Sequence, residues 1–108
     1  MSTIKKGLPR ENYTKISNSA IFNSKLSHGA FRVYCFFASM PNGKRVNDGY
    51  IKQILGITQS TLTRHKHELK IHDLVLVERL GPREYDLYVG HDKFLAKEVK
   101  KYWDKENI

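Results

Sequence analysis

Cysteine is almost absent from this chain of 108 residues, and long apolar runs are missing. The one cysteine, Cys35, excludes both a disulfide framework and a zinc site built on cysteine ligands. The longest apolar run, AFRVYCFFASM, is interrupted by Arg32 and is too short to span a bilayer. The first residues, MSTIKKGLPREN, lack the apolar segment of a signal peptide. We therefore expect a soluble, cytoplasmic protein with no membrane partner.

Motifs of catalysis are also missing. The sequence contains no phosphate-binding glycine loop, no nucleophile elbow and no paired carboxylates in a recognisable setting. Tyr85, Asp86 and Tyr88 lie on a predicted strand, and Asp86 has no evident partner for acid-base work, so sheet contacts are favoured. We expect no enzyme activity, no catalytic residue and no cofactor.

Histidines are the remaining candidates for metal binding. His65 and His67 are two positions apart, so they point to different sides of a helix and cannot chelate one ion together. His65, Glu68 and His72 share one helix flank at spacings that could gather three ligands. That flank borders the predicted buried face and contains no cysteine, so we expect no metal site.

Positive charge is the dominant feature of the composition. The chain carries 19 Lys and Arg against 11 Asp and Glu, a formal charge of +8. A field of this sign on one small domain attracts polyanions such as nucleic acid or anionic lipid. The alternative is that the charge only keeps the protein soluble.

The first dozen residues are basic and have little to bury. Lys5, Lys6 and Arg10 occur with Gly7 and Pro9, which predicts a flexible basic arm over residues 1–12. Such an arm could contact phosphates or a minor groove, or could be a solvated tail.

The segment YTKISNSAIF follows the predicted arm. Asn18 and Ser19 are turn formers, so a short strand or turn is expected here, with Tyr13, Ile16, Ile21 and Phe22 anchoring it at the domain edge.

Three helices are then predicted to form the core. Ser27 can cap the first, whose apolar positions recur at helical spacing until Pro41-Asn42-Gly43: Ala30, Val33, Tyr34, Phe37 and Met40. Asn47 or Asp48 can cap the second, whose apolar stripe is Ile51, Ile54 and Leu55 and whose exit is Gly56. Thr58 can cap the third, which turns Leu62 and Leu69 inward. Two short helices joined by a glycine turn predict a helix-turn-helix.

The period of the pattern changes after the third predicted helix. LVLVERL and EYDLYV alternate at strand spacing, and Gly81-Pro82-Arg83 between them predicts an antiparallel hairpin. In HDKFLAKEVKKYWDKENI, apolar residues recur at helical spacing among lysines, which predicts a fourth, amphipathic helix over residues 91–108. We expect it to bury Leu95, Val99 and Trp103 against the domain or at a dimer interface.

The third predicted helix presents a face without acidic residues. Taking Leu62 as the inward direction, Ser60, Thr63, Arg64 and His67 fall on the opposite side, bordered by Gln59, Lys66 and Lys70. Hydroxyl, amide, imidazole and guanidinium groups are those that bind base edges and phosphates in a major groove. An ordinary solvated face, the alternative, would usually intersperse Glu with Lys.

These elements agree with a known family. The stretch ITQSTLTRHKHELKIHDLVLVERLGPREYDLYV resembles the recognition helix and wing of winged helix-turn-helix domains, as in bacterial repressors of the MarR and GntR kinds. The upstream YTKISNSAIFNSKLSHGAFRVYCFFASMPNG resembles N-terminal winged-helix modules of phage and plasmid replication and accessory proteins. The resemblance covers about Tyr13 to Val89, and in it Asp73 replaces the glycine that commonly ends the recognition helix. Asp can adopt the same left-handed conformation.

The resemblance implies an α+β winged helix over residues 13–90, with three helices, a hairpin wing and an extra C-terminal helix. It implies DNA contacts by Ser60, Thr61, Thr63 and Arg64 on the helix and by Arg79 and Arg83 on the wing. With the helical face, the predicted DNA-binding residues are Gln59, Ser60, Thr61, Thr63, Arg64, His67, Lys70, Arg79 and Arg83.

The expected function is sequence-specific binding of double-stranded DNA, as a small transcriptional repressor of a plasmid or phage. A homodimer on two half-sites is expected, since one small module contacts few base pairs. One alternative is an accessory factor that recruits a protein partner at a replication or transfer origin. Another is a winged helix used only for protein interaction.

Overall fold

The computed structural model describes residues 2–5, 14, 16, 18–90 and 95–106. In chain order the elements are β1 (Ser2–Lys5), α1 (Asn18–Ile21), α2 (His28–Ser39), β2 (Arg45–Val46), α3 (Asp48–Leu55), α4 (Gln59–Ile71), β3 (Val75–Gly81), β4 (Glu84–Val89) and α5 (Ala96–Glu106). The strands form one mixed sheet in the order β2-β1-β4-β3. This confirms the predicted α+β class, and the order of elements from α2 to β4 is compatible with the predicted winged helix.

Local capping determines where the three core helices begin. The side chain of Ser27 accepts a hydrogen bond from the backbone N–H of Ala30, that of Asn47 from Tyr50, and that of Thr58 from Thr61. Each such cap satisfies an amide that the first helical turn leaves without a partner, and stabilises a helix by about 1 kcal/mol. The predictions of caps at Ser27 and Thr58 are confirmed, and Asn47 rather than Asp48 caps α3.

Helix α2 is the centre of the core, as predicted. Ala30, Val33, Tyr34 and Phe37 are all buried, and they recur at the spacing of one helix face. The Tyr34 hydroxyl donates to the carbonyl of Gly90 over 2.7 Å, which ties α2 to the end of β4. This buried hydrogen bond satisfies the one polar group that the ring carries into the core.

A tight turn joins α3 to α4. Gly56 ends α3 with φ of 67°, in the left-handed region that glycine adopts without strain, and α4 begins three residues later at Gln59. Ile51 and Leu55 are buried as predicted, but Ile54 is 53% exposed, so its place in the predicted buried stripe is wrong. At the other end of α4, Asp73 has φ of 57°, so an aspartate does adopt the left-handed conformation there.

Strands β3 and β4 form the predicted antiparallel hairpin. Val75 pairs with Val89 and Val77 with Leu87, and the register shifts by a bulge between Arg79 and Gly81. Only Pro82 and Arg83 lie between the two strands. The hairpin therefore carries Arg83 at its tip.

The prediction of a flexible arm over residues 1–12 is wrong for Ser2–Lys5. This segment is β1, which pairs parallel with β4 and antiparallel with β2. Ile4 is completely buried, and its backbone exchanges hydrogen bonds with Lys44 and Gly43. The charge of Lys5 favours a solvated arm, but backbone hydrogen bonds on both edges of β1 and the burial of Ile4 favour the strand more strongly. Without β1, β4 would expose an unpaired edge. The rest of the predicted arm lies outside the described residues.

The anchors predicted for the segment before α2 are also partly wrong. Ile21 is 51% exposed and Phe22 is 78% exposed, whereas Ala20 and Leu26 are buried. The expected strand or turn is instead a single helical turn, α1, which directs Ala20 inward and Ile21 outward. Ile16 does pack against the core, and Tyr13 lies outside the described residues.

Helix α5 covers the sheet face opposite to α4. Ala96 and Val99 are buried and Trp103 is half-buried, but Leu95 is 40% exposed, so of the two expected places of burial the domain does not bury Leu95. The ammonium of Lys5 lies 4.7 Å from the centre of the Trp103 ring. No helix within the described ranges is long and apolar enough to cross a membrane.

Candidate nucleic-acid interface

A groove of about 540 Å³ separates α4 from the β3–β4 hairpin. Its α4 wall contains Thr63, Lys66, His67 and Lys70, and its hairpin wall contains Val77, Pro82, Arg83 and Tyr85. The sequence separates these two walls, and the fold brings them together because β3 returns along α4 after the turn at Asp73. We call this space the α4–hairpin groove.

The outer face of α4 has the composition predicted for it. Leu62, His65 and Leu69 are buried on the inner side. None of the exposed side chains on the outer side is a carboxylate. These exposed residues are Gln59, Ser60, Thr63, Arg64, His67, Lys70 and Ile71. The one acidic residue of α4, Glu68, is directed toward α2, where it accepts hydrogen bonds from Ser27. The face is therefore polar, without negative charge, from Gln59 to Lys70, and ends on the exposed Ile71.

Thr61 stands apart from the other predicted site residues on α4. It is half-buried, and its hydroxyl accepts a hydrogen bond of 3.0 Å from the hydroxyl of Thr58. Its backbone N–H is also the donor to the Thr58 cap. Thr61 thus contributes to the start of α4 and not to the outer face.

The two predicted arginines of the hairpin occupy different places. Arg83, at the tip, is exposed and lines the α4–hairpin groove opposite His67 and Lys70. Arg79 is exposed on β3, and its Nε donates to the carbonyl of Gly81 over 3.1 Å. That bond fixes part of the Arg79 guanidinium within the hairpin bulge, while Arg83 extends the charge of the groove.

Asp48 is a member of the site that the sequence did not identify. At the start of α3, its Oδ1 lies 2.7 Å from Nζ of Lys66, and its Oδ2 accepts a hydrogen bond of 3.0 Å from Nε2 of Gln59. The same Nε2 donates to Oγ1 of Thr63 over 3.2 Å. One carboxylate thereby holds a cation and an amide of α4 in fixed positions. The sequence signal was slight, because a first-turn aspartate is also explained by helix capping.

Electrostatics keep Asp48 ionised. Partial burial would raise the pKa of its carboxyl, but hydrogen bonds from Lys66 and Gln59 and the charges of Lys66 and Lys52 outweigh burial and lower it below the ordinary value. Asp48 is also the only carboxylate among the described residues that line the α4–hairpin groove. It forms an ion pair with Lys66, whose side chain is 19% exposed, and Lys70 and Arg83 also line the groove.

The three residues considered for metal binding have separate roles. The ring of His65 is buried against Gly29, and Glu68 accepts from the N–H and the hydroxyl of Ser27 at 2.6 Å and 2.9 Å. His72 Nδ1 lies 3.1 Å from the amide nitrogen of Asn23. Within the described part of the chain, no three side chains are grouped as metal ligands.

Comparison with known proteins gives no match among family models, curated proteins or solved structures.

Proposed function

We propose that this protein binds double-stranded DNA, with α4 in the major groove and the hairpin beside it. The observation that carries the proposal is the outer face of α4, which has no carboxylate and which shares a groove with Arg83 of the hairpin. A solvated helix face of ordinary composition would mix acidic and basic residues, because paired charges stabilise an exposed helix. A surface of cations, hydroxyls and amides fits a partner that supplies the negative charge.

The dimensions of α4 suit this partner. An α-helix with its side chains is about 10 to 12 Å wide, close to the roughly 12 Å width of the major groove of B-form DNA. In helix-turn-helix proteins the first turns of the recognition helix approach the base edges. Here those turns carry Gln59, Ser60 and Thr63, while Lys70 lies farther along α4 and can reach a phosphate.

The hairpin extends the proposed surface beyond the helix. Arg83 projects from a two-residue turn, so its guanidinium can reach a phosphate or a narrow minor groove next to the major groove that α4 occupies. Phosphate contacts on both sides of α4 would hold the helix in register with the bases. In this arrangement, Lys66 acts indirectly, since its ammonium is bound to Asp48.

The proposed biological role is that of a small repressor encoded by a plasmid or phage, bound as two copies on paired half-sites. One module of this size contacts few base pairs, so a symmetric pair would supply the length of sequence needed for specificity. Mapping of bound DNA in cells tests this role. Enrichment at promoters supports a repressor, whereas enrichment confined to replication or transfer origins would replace that role with an accessory one.

Binding itself is tested by fluorescence anisotropy with labelled duplexes across a range of salt concentrations. If each outer cation neutralises one phosphate, the logarithm of the association constant should fall with the logarithm of salt with a slope of about −3.6. The cations counted are Arg64, Lys70, Arg79 and Arg83. No binding at low salt would refute the proposal.

A matched pair of charge reversals tests the location of the surface. Lys70→Glu and Lys97→Glu change the net charge equally, but Lys70 lines the α4–hairpin groove and Lys97 is exposed on α5, across the sheet. We expect a several-fold loss of affinity for Lys70→Glu and a much smaller loss for Lys97→Glu. Equal losses would show that only the overall charge attracts DNA and would contradict the assignment to α4.

A further inference from the structure

Both amide protons of Gln59 are occupied inside the protein. Its Nε2 donates to Oδ2 of Asp48 over 3.0 Å and to Oγ1 of Thr63 over 3.2 Å. A primary amide has two N–H donors and one carbonyl acceptor, so these bonds use its complete donor capacity. Its carbonyl, Oε1, accepts no hydrogen bond from the described residues.

The chemistry of Asp48 determines which way this amide points. An ionised carboxylate only accepts hydrogen bonds, so it must face the nitrogen of Gln59 and not the oxygen. Lys66 supports that orientation, because its ammonium at 2.7 Å favours the charged form of Asp48. Gln59 is itself exposed, at the first position of α4.

We propose that Asp48 fixes Gln59 as a hydrogen-bond acceptor toward DNA, so that the base opposite Gln59 carries an amino group in the major groove. That group is N6 of adenine or N4 of cytosine. This inference rests on the proposed DNA-binding function and specifies one position of the target. Asp48 is a positioning residue, since it acts through Gln59 and not on the base.

The same geometry disfavours guanine and thymine at this position. Guanine presents N7 and O6, and thymine presents O4, so each would place an acceptor against the Gln59 carbonyl. Turning the amide over would offer a donor, but would bring its oxygen against the carboxylate of Asp48. We therefore expect about a fivefold preference for adenine or cytosine over guanine or thymine, the lower end of the discrimination by bidentate contacts, because Gln59 offers the base only one hydrogen bond.

Asp48→Asn gives a directional test. The ammonium of Lys66 retains the side chain's one remaining oxygen, and the new amide nitrogen then faces Gln59. Gln59 would reverse, with its carbonyl accepting from Asn at position 48 and its NH₂ group directed outward. The preferred base should change from adenine or cytosine to guanine or thymine, and loss of stability alone would not invert a base preference.

Two further variants complete the experiment. Gln59→Ala leaves the contact between Asp48 and Lys66 in place and should abolish the preference at one position only. Glu98→Gln changes the net charge by the same amount as Asp48→Asn, from an exposed site on α5, and should leave the preference unchanged.

The measurement is selection from a library of randomised duplexes, with sequencing of the bound fraction for each variant. We expect the wild type to prefer adenine or cytosine at this position, Gln59→Ala to lose this preference, and Asp48→Asn to prefer guanine or thymine. If the wild type binds duplexes but the position sensitive to Gln59→Ala favours guanine or thymine, or if Asp48→Asn retains the wild-type base, this inference is overturned and the proposed function stands. If the wild type binds no duplex, both fall together.

Discussion

Gly29 should be among the least replaceable residues of the helical core. It lies in the first turn of α2, opposite the buried ring of His65 on α4. A methyl group at position 29 would lie 2.6 Å from Cε1 of His65, and closer still to Nε2. Two effects of Gly29→Ala therefore oppose each other, a gain in helix propensity and a collision with the imidazole.

The magnitudes favour the collision. Replacing glycine by alanine within a helix stabilises it by up to about 1 kcal/mol, and less in the first turn. Overpacking of a well-filled core costs about 1 to 3 kcal/mol. The His65 ring is only 9% exposed, so it cannot turn aside without displacing its neighbours. We expect a net destabilisation of about 1 to 2 kcal/mol.

A double-mutant cycle measured by urea unfolding tests this explanation. In the background of His65→Ala the imidazole is gone, so Gly29→Ala should become neutral or stabilising, by up to about 1 kcal/mol. The change of sign is the specific expectation. If Gly29→Ala destabilises both backgrounds equally, His65 is not the cause and the steric explanation is refuted.

Three further predictions concern two arginines of the proposed DNA-binding surface, the packing of α5, and the contact between α2 and α4. Arg64→Ala should cost about 1 to 3 kcal/mol on a selected duplex and relax base preference, whereas Arg83→Ala should weaken selected and scrambled duplexes alike and reduce the salt slope by about one unit. Anisotropy across salt measures both, and equal losses on the two duplexes for Arg64→Ala would assign Arg64 to phosphate contact. Val99→Ala should destabilise the fold by about 2 kcal/mol, because Val99 is only 2% exposed where α5 packs on the sheet. Leu95→Ala should change stability by less than about 0.5 kcal/mol, because Leu95 is 40% exposed. Thermal unfolding distinguishes them, and similar effects would contradict the packing of α5. Hydrogen bonds from the backbone and side chain of Ser27, together with nearby histidines, lower the pKa of Glu68 below its ordinary 4.5, although burial opposes this. The contribution of Glu68 to stability is therefore present above pH 4.5 and is lost as the pH falls through the lower pKa of the folded state. Unfolding midpoints should therefore fall more steeply in this acidic range for the wild type than for Glu68→Gln, and parallel curves would contradict the role of Glu68.

Local chemistry made several elements predictable. Ser27 and Thr58 start helices because a side-chain oxygen binds a backbone amide three residues ahead, and Gly56 ends α3 because it adopts a positive φ. The hairpin was predictable because residues alternate at strand spacing on both sides of a short turn. Each of these signals is contained within a few neighbouring residues.

The composition of the α4 face was predictable for a similar reason. Helix periodicity assigns Leu62 and Leu69 to the inside, and so assigns Thr63, Arg64 and His67 to the outside. No partner element is needed for that assignment, provided the segment is helical. Its function as a DNA-binding surface is still a prediction.

Exposure along α5 was less predictable, because its amphipathic pattern allowed more than one orientation. Leu95 was expected to be buried on the domain or at a dimer interface, but on the domain Ala96 is buried and Leu95 is not. Only contact with the sheet decides which residues face inward, since Val99 and Trp103 can be covered in either case. Leu95 and Ala96 point in directions roughly 100° apart about the helix axis, so the same face does not bury both fully.

By itself, the sequence determined the starts of α2 and α4, the turn at Gly56, the hairpin and the polar face of α4, because each depends on atoms close together along the chain. Tertiary structure decided that Ser2–Lys5 is a strand, since its hydrogen-bonding partners are Val46 and the residues of β4. It also decided that Asp48 contacts Gln59 and Lys66, which follows from how α3 is placed against α4. Pairing and side-chain contact between distant segments depend on the packing of the whole core, and no local pattern encodes that packing.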